Sequence, residues 1–403
     1  MPKLLQINVT ANWGSTGKIA EDIGKTAIAN GWESYIAYGR DTNPHSLSNL
    51  IQIGNKWDMY NHGIQTRFFD NHGLASINAT KKFIDRVKEI KPDIIHLHNI
   101  HGYYINYDIL FDYLSKENIP VVWTLHDCWP FTGHCAYFDY VNCCKWKYGC
   151  IKCMYKSTYP SSYILSSSEK NYLRKRKSFT SVPKLYFVPV SNWLHNLLNE
   201  SFFAKFPKKT IHNGVDLNLF VPTTRKFFRV DRHVVLGVAS VWEARKGLVD
   251  FIKLRELLPR TIEIILIGLS KQQIDTLPSG IKGISRTNNV NELVEYYSQS
   301  SVFVNPSWED NFPTTNIEAL ACGTPVVTYR TGGSPESITP ETGIVVEKGD
   351  CNALCSAIME IIAKGKDFYS AACRKRAEDL YNKDDRFQEY LDLYQHLLSD
   401  KCY

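Results

Sequence analysis

KLLQINVTANWGSTGKIAEDIGKTAIAN, residues 3–30, runs from an apolar stretch through a glycine-bearing turn into a helical pattern. KLLQINV at 3–9 reads as a buried strand, because its apolar residues form a run instead of alternating. The turn NWGSTGK follows, and GKIAEDIGKTAIAN predicts a helix that starts near Gly17. Strand, turn and helix together are the repeating unit of a parallel α/β sheet.

The same rhythm continues through the first half. SYIAYG, DIIHLHN, PVVWTLHD and LYFVPVS are strand candidates, separated by helical patterns such as ATKKFIDRVKEI and YDILFDYLSKEN. It restarts with HVVLGVAS, TIEIILIG, SVFVNPS and PVVTYR, interleaved with LVDFIKLRELL, VNELVEYYSQS and TNIEALACG. Continuous apolar strands separated by helices imply parallel sheets covered on both faces. Two series imply two doubly wound domains, each with its ligand edge at the carboxyl ends of the strands. The join falls near VDLNLFVPTTRKFFRVDRH, residues 215 to 233, which has no clear period. The expected domains are 1–217 and 218–383, with 384–403 a final helix open to packing back on either domain, the first included.

Composition narrows the function classes. The chain has 403 residues, 44% hydrophobic and 22% charged, an ordinary globular balance at two-domain length. No stretch is apolar enough to span a bilayer, and the N-terminus lacks a signal-peptide pattern, so a cytoplasmic location is expected. The formal net charge of +6 is too mild to argue for nucleic acid. One basic cluster, NYLRKRKSF at 171–179, reads either as a solvated helix face or as a contact with anionic lipid headgroups.

The turn NWGSTGKIAE resembles a phosphate loop and fails both common patterns. A Walker A loop needs glycine where Asn12 stands and Ser or Thr where Ile19 stands. The dinucleotide pattern needs a glycine before Gly14 that is missing. What remains is either a plain turn or a helix N-terminus whose unpaired N–H groups suit an anion.

PSWEDNFPTTNIEALACGTPVV, residues 306–327, carries two acids, Asp310 and Glu318, separated by seven residues. Glu318 fits a capping box with Thr315, and Asp310 fits a loop end. The strand that follows nevertheless places this turn at the ligand edge of the second sheet.

This segment resembles the Glu-(seven residues)-Glu motif of retaining glycosyltransferases of family 4. GSTGK, DIIHLHN, VVWTLHD, PVSNWL, IHNGVDLNLF, ARKG at 244–247 and TGGSPE at 331–336 fall in that family's order, so the likeness covers nearly the whole chain. The resemblance implies the GT-B fold, two facing Rossmann-like doubly wound parallel-sheet domains with a cleft between them. It implies that Glu318 holds the ribose hydroxyls of a nucleotide sugar, and that Asp310, where the family usually has Glu, lies by the donor sugar. Asn311, Phe312 and Thr314 are then donor-binding, with the backbone at Asn311, Phe312 and Pro313 lining the sugar pocket. Lys246 meets the diphosphate, and Arg245 substitutes for an arginine that the family often has earlier. Gly14 and Gly17 form a second diphosphate contact, leaving Lys18 on the helix surface. His126 matches the active-site histidine, while His96, His98 and His101 are assigned to core or acceptor-side packing.

Eleven cysteines in a cytosolic chain favour thiols or metal ligands over disulfides. Six lie at 128–153, inside an insert at about 128–156. Cys135, Cys143, Cys150 and Cys153 are candidates for a structural zinc, with inert thiols the other reading. Trp129, Phe131, Tyr137, Phe138, Tyr140 and Trp146 serve either as sugar or lipid contacts or as the insert's own core.

The expected activity is retaining transfer of a sugar from a nucleotide donor to a hydroxyl of a glycan or polyprenyl-linked acceptor, in capsule, exopolysaccharide or O-antigen assembly. No catalytic metal is required, and membrane contact is peripheral. The alternatives are a GT-B epimerase or phosphorylase, a non-catalytic nucleotide-sugar binder, and a P-loop NTPase.

Overall fold

A computed structural model describes residues 1–223 and 232–399, so 224–231 of the expected join and the last four residues lie outside the described residues. The chain divides into two units, Met1–Ile211 with the chain from Phe387 onward, and His212–Arg386.

The first unit is built on strands β1 (Lys3–Asn8), β2 (Glu33–Tyr38), β3 (Asn49–Gln52), β4 (Ile94–Leu97), β5 (Val121–Leu125) and β6 (Leu185–Pro189). All pair in parallel, in the order β3-β2-β1-β4-β5-β6. β1, β4 and β5 are buried almost throughout because helices cover both faces, and Leu4, Leu5, Ile7, Ile94 and Val122 are fully buried. The helix Ile77–Ile90 shows how such a cover forms. Ala79, Phe83, Ile84, Val87 and Ile90 recur every three or four residues, and all are buried.

The last helix, Lys383–Ser399, completes this unit's core. Phe387, Tyr390, Leu391, Tyr394 and Leu397 lie on one stripe and pack with Leu4, Ile94, Val122 and Val188. The Tyr394 hydroxyl stands 2.7 Å from His96 Nδ1, and Thr124 Oγ1 donates to the Tyr390 hydroxyl at 3.2 Å. Leu391→Ala is expected to cost about 2–5 kcal/mol of stability, read as a lower urea midpoint.

The second unit repeats the plan with β7 (His233–Val238), β8 (Ile262–Ile267), β9 (Ile281–Ile284), β10 (Val302–Asn305), β11 (Val326–Tyr329) and β12 (Gly343–Val346). Their order, β12-β11-β10-β7-β8-β9, is the first sheet's order again, all parallel. Such sheets bind ligands beyond the carboxyl ends of their central strands, here β1, β4 and β5 in one unit and β7, β10 and β11 in the other. Among the described residues no helix is long and apolar enough to cross a membrane.

The helix after β1 begins at Gly14, three residues before the expected start, because the backbone turns into the helix immediately after the extended Trp13. In the basic cluster the helix Ser168–Phe179 turns Lys175 inward and pairs Arg174 Nε with Asp108 Oδ2 at 3.3 Å. Only Arg176 and Lys177 of its four cations are exposed, so the cluster is not one charged face. The helix is amphipathic around Tyr172, Lys175 and Phe179, and packing decides where its charges go.

Candidate active site

In the second unit, the segment after β10 is folded back by a chain of polar contacts. Asn305 Nδ2 donates to Asn316 Oδ1 at 2.9 Å, and Thr331 Oγ1 donates to the Ser307 carbonyl at 2.8 Å. The Trp308 indole donates to Asp250 Oδ2 at 2.8 Å, while Tyr329 and Cys351 donate to Asp250 Oδ1 at 3.0 and 3.3 Å. Asp250 is therefore a buried carboxylate with three donors, and it anchors the residue two positions before Asp310. Sequence reasoning passed over Asp250, which looks like an ordinary acid in the first turn of a helix.

The loop 244–247 packs against this segment. Trp308 N donates to the Arg245 carbonyl at 2.7 Å, and Arg245 Nη1 donates to the Glu309 carbonyl at 3.1 Å. Arg245 Nε also meets Glu243 Oε2 at 3.2 Å. Gly247 has φ +75, and a Cβ there would stand 2.1 Å from the Pro306 carbonyl oxygen, so the ARKG turn requires its glycine. This approach brings Lys246 onto Asp310 as a direct ion pair. From the other side, Gly333 N donates to the Asp310 carbonyl at 3.1 Å, which places the TGGSPE loop.

Glu318 does not cap its helix. The helix spans Thr314–Ala321 after Pro313 and has no side-chain cap, so Thr315 already lies inside its first turn. The Glu318 carboxylate instead accepts the Tyr297 hydroxyl at 2.9 Å. Tyr297 is fully buried, and desolvation together with the neighbouring carboxylate raises its pKa well above the ordinary value. The hydroxyl thus stays protonated and holds one side of Glu318. Asn311 and Phe312 are buried, Phe312 against His212 with ring centroids 4.7 Å apart, while Thr314 is half-buried at the helix start. Lys246, Asp310, Glu318 and the backbone from Asn311 to Thr314 thus belong to one loop–helix assembly beyond β10.

In the first unit, Gly14 has φ +65 and opens the helix after β1. A Cβ on Gly17 would lie 2.7 Å from Thr10 Oγ1, so this glycine lets the helix approach the end of β1. Lys18 is exposed. The helix has no side-chain cap and no acid in its first turn.

His126 follows β5 and is half-buried. Its Nε2 stands 3.1 Å from His98 Nδ1, and His98 Nε2 stands 3.0 Å from Gln6 Oε1. Gln6 donates its own amide to the Ala20 carbonyl at 2.7 Å. Its Oε1 therefore accepts from His98, His98 accepts from His126, and His126 Nδ1 carries the ring's lone pair; this protonation pattern is assigned from the network. Burial pushes the His126 pKa down to about 4, and it holds His98 well below its ordinary range. Both rings are neutral at pH 7.

The neighbouring histidines divide by role. His96 is tied into the core through Thr124 and Tyr394. His101 Nε2 meets Asp127 Oδ2 at 2.7 Å. Burial opposes the charge on Asp127, but His101 and the Trp129 amide overcome it and hold the carboxyl below its usual range.

The Cys-rich insert makes a core of its own. Phe131, Phe138 and Trp146 are buried, with ring centroids 5.2 to 6.2 Å apart, while Tyr137 and Tyr140 are half-buried. Cys135, Cys143, Cys150 and Cys153 line one cavity of about 20 Å³, room for one water-sized sphere. Among the described residues no three His, Cys, Asp or Glu side chains form a set able to hold a metal. Cys150 Sγ accepts from Gly133 N at 3.1 Å, and burial raises its pKa to about 11, which keeps it a thiol.

Lys175 fixes the start of this insert. It is 1% exposed, donates to the Trp129 and Thr132 carbonyls at 2.8 and 3.1 Å, and lies 3.5 Å from the Trp129 ring centre. Burial lowers its pKa to about 7, against 10.5 for an ordinary lysine. Between those values the unfolded chain binds the proton and the folded chain does not, so this group makes stability rise with pH. The urea midpoint of the wild type should rise through this window relative to that of Lys175→Met.

Comparison with known proteins agrees with this architecture. A model described as Glycosyltransferase Family 4 matches residues 17–219, about half of the chain, and one described as Glycosyl transferases group 1 matches residues 232–364. The putative colanic acid biosynthesis glycosyl transferase WcaC of Escherichia coli K12 is 24% identical over 415 residues, taking in 98% of this chain and 100% of that protein. The capsular polysaccharide biosynthesis glycosyltransferase CapM of Staphylococcus aureus is 29% identical over 235 residues, 53% of this chain and 62% of CapM. Among solved structures, sucrose-phosphate synthase from Thermosynechococcus elongatus superposes with a TM-score of 0.74 at 18% identity, covering 99% of this chain and 100% of that one. HepE from Anabaena, in complex with UDP, superposes with a TM-score of 0.69 at 15% identity, covering 98% and 100%. The two sheets are those of a GT-B protein, and the chain belongs to glycosyltransferase family 4.

Proposed function

We propose that the protein transfers a sugar, with retention of configuration, from a nucleotide sugar to a hydroxyl of a glycan or lipid-linked acceptor in bacterial surface polysaccharide assembly. One observation supports the reading: beyond β10, Lys246 is ion-paired with Asp310 on the loop, and Glu318, on the helix that follows, is half-buried and accepts the Tyr297 hydroxyl. A carboxylate held by Tyr297 suits a pair of ribose hydroxyls, and a lysine balanced by a carboxylate suits a diphosphate. HepE has been solved with UDP, with UDP and glucose, and with UDP-glucose. WcaC is a putative colanic acid biosynthesis glycosyl transferase, and CapM is a capsular polysaccharide biosynthesis glycosyltransferase.

In the proposed reaction, the bond between the anomeric carbon and the diphosphate oxygen breaks. The acceptor oxygen bonds to the same face of that carbon, and its proton passes to the departing diphosphate. Lys246 is assigned to the charge that develops on the leaving group. His126 is assigned to the sugars on the first unit's side of the reaction, where its neutral ring adds no positive charge. Asp310 orients Lys246 and supports that carbon electrostatically.

The test is incubation with a panel of nucleotide sugars, following nucleoside diphosphate release with and without glycan acceptors. Release from one nucleotide sugar, accelerated by an acceptor, is expected. Phosphate release from ATP with no release from any nucleotide sugar would overturn the proposal.

A further inference from the structure

The second unit carries a group of cations at the edge of its sheet opposite the donor assembly. A groove of about 320 Å³ opens there, walled by Ile262 and Ile281, the first residues of β8 and β9. Arg232, the residue before β7, lines it too. The carboxyl ends, where the loop–helix assembly lies, are a strand length of about 20 Å away.

Arg255 forms part of the groove wall and is fixed in place. It lies in the helix Leu248–Leu257 and is 9% exposed. Its Nη1 donates to the Ile262 and Gly280 carbonyls at 2.6 and 3.4 Å, and its Nη2 to the Leu258 and Pro259 carbonyls at 2.7 and 2.8 Å. Gly280 has φ +91, and a Cβ there would stand 2.9 Å from Arg255 Cδ, so glycine lets the turn before β9 close over the side chain. These carbonyls satisfy N–H groups but carry no charge to balance the guanidinium. Burial and the like charge of Arg260 both lower the Arg255 pKa.

Around this buried cation stand Arg232, Arg260 and Lys282, all exposed. Among the described residues none of these three forms an ion pair. Glu263 is the one acid among the described residues of the lining, so four positive charges face one negative charge. A lysine on an edge strand blunts pairing with other sheets, and that accounts for Lys282. It does not account for Arg260, in the turn before β8, or for Arg232, before β7. Like charges gathered round a concave surface repel one another and concentrate anions from solution.

We propose that this groove binds a small anion bearing two or more phosphate groups, held by Arg232, Arg260 and Lys282 beside Arg255. The net charge sets the class, since three positive charges in excess match a polyphosphate better than a single phosphate or carboxylate. The concave wall favours a free anion over the headgroups of a bilayer, which form a flat array. The proposal goes beyond the transfer reading and does not depend on it, because no residue of the groove belongs to the donor assembly.

The test is calorimetric titration of tripolyphosphate and of orthophosphate into the full chain, with vesicles of phosphatidylglycerol as a separate arm. Tripolyphosphate should bind at least about tenfold more tightly than orthophosphate. A double variant, Arg260→Ala with Lys282→Ala, should weaken tripolyphosphate at least about tenfold, with an unchanged melting temperature because both side chains are exposed and unpaired. Glu263→Gln removes the opposing charge and should tighten tripolyphosphate binding several-fold. Lys246→Ala should bind it as the wild type does, which separates the groove from the donor site. Vesicle binding should be the same for the wild type and the double variant. The proposal is overturned if tripolyphosphate does not bind, if the double variant binds it normally, if Lys246→Ala abolishes the binding, or if the double variant loses only vesicle binding. Failure of the donor reading is distinct, because it is read by nucleotide-sugar turnover in the wild type.

Discussion

Glu318→Ala is expected to lower kcat/KM for the nucleotide sugar by about 10²–10⁴, mainly by raising the donor KM. The size follows from two charge-assisted hydrogen bonds to vicinal ribose hydroxyls, each worth about 1.5–3 kcal/mol, against about 1.4 kcal/mol per tenfold change. The effect falls mainly on binding because Glu318 does not cap its helix and its carboxylate accepts the Tyr297 hydroxyl. Removing the carboxylate leaves the buried Tyr297 hydroxyl without this acceptor, so a modest fall in melting temperature is expected alongside. Tyr297→Phe separates the two effects, since it keeps the carboxylate but frees its position. It should raise the donor KM several-fold and leave kcat near the wild-type value. Unchanged kinetics in Glu318→Ala would remove the residue from the donor site.

Lys246→Ala should act on the other kinetic parameter. Taking one preorganised cation from a leaving diphosphate costs about 10²–10³ in kcat, because the charge it meets is greater in the transition state than in the bound donor. The substitution also leaves Asp310 unpaired beside the anionic donor, so some loss of affinity accompanies the loss of rate. Lys246→Arg is not a rescue, since the planar fork does not occupy the place of a compact ammonium next to Asp310. A kcat within threefold of the wild type for Lys246→Ala would exclude the lysine from leaving-group stabilisation.

Much of the fold was legible because burial on both faces writes parallel strands as continuous apolar runs. KLLQINV, DIIHLHN and PVVWTLHD each hold a central strand. The strands with no such signal were β3, β9 and β12, four residues each at the sheet edges, where side chains are less buried than in the central strands. Helix starts were misplaced for a related reason. The capping-box pattern at Thr315 and Glu318 is a local preference, and packing beyond β10 started the helix at Thr314 instead.

The site was legible where function fixes the spacing. The seven residues between Asp310 and Glu318, and the glycine after Lys246, are visible in the sequence itself. The supports were not. Asp250 and Tyr297 reach the site across the fold from helices that read as ordinary covers, and nothing in their own segments marks them. His98 and His126 sit 28 positions apart, and only the pairing of β4 with β5 makes them neighbours. The insert's aromatics were open between ligand contact and a core of their own, and the packing of Phe131, Phe138 and Trp146 shows the core.

The most direct test is calorimetric titration of uridine, guanosine, adenosine and thymidine diphosphates into the full-length protein and into Glu318→Ala. One diphosphate should bind the wild type with a micromolar Kd, about −8 kcal/mol, and bind the variant at least a hundredfold more weakly. Absence of binding by every diphosphate, or equal binding by wild type and variant, would contradict the assignment of the loop–helix assembly beyond β10 as the nucleotide-sugar site.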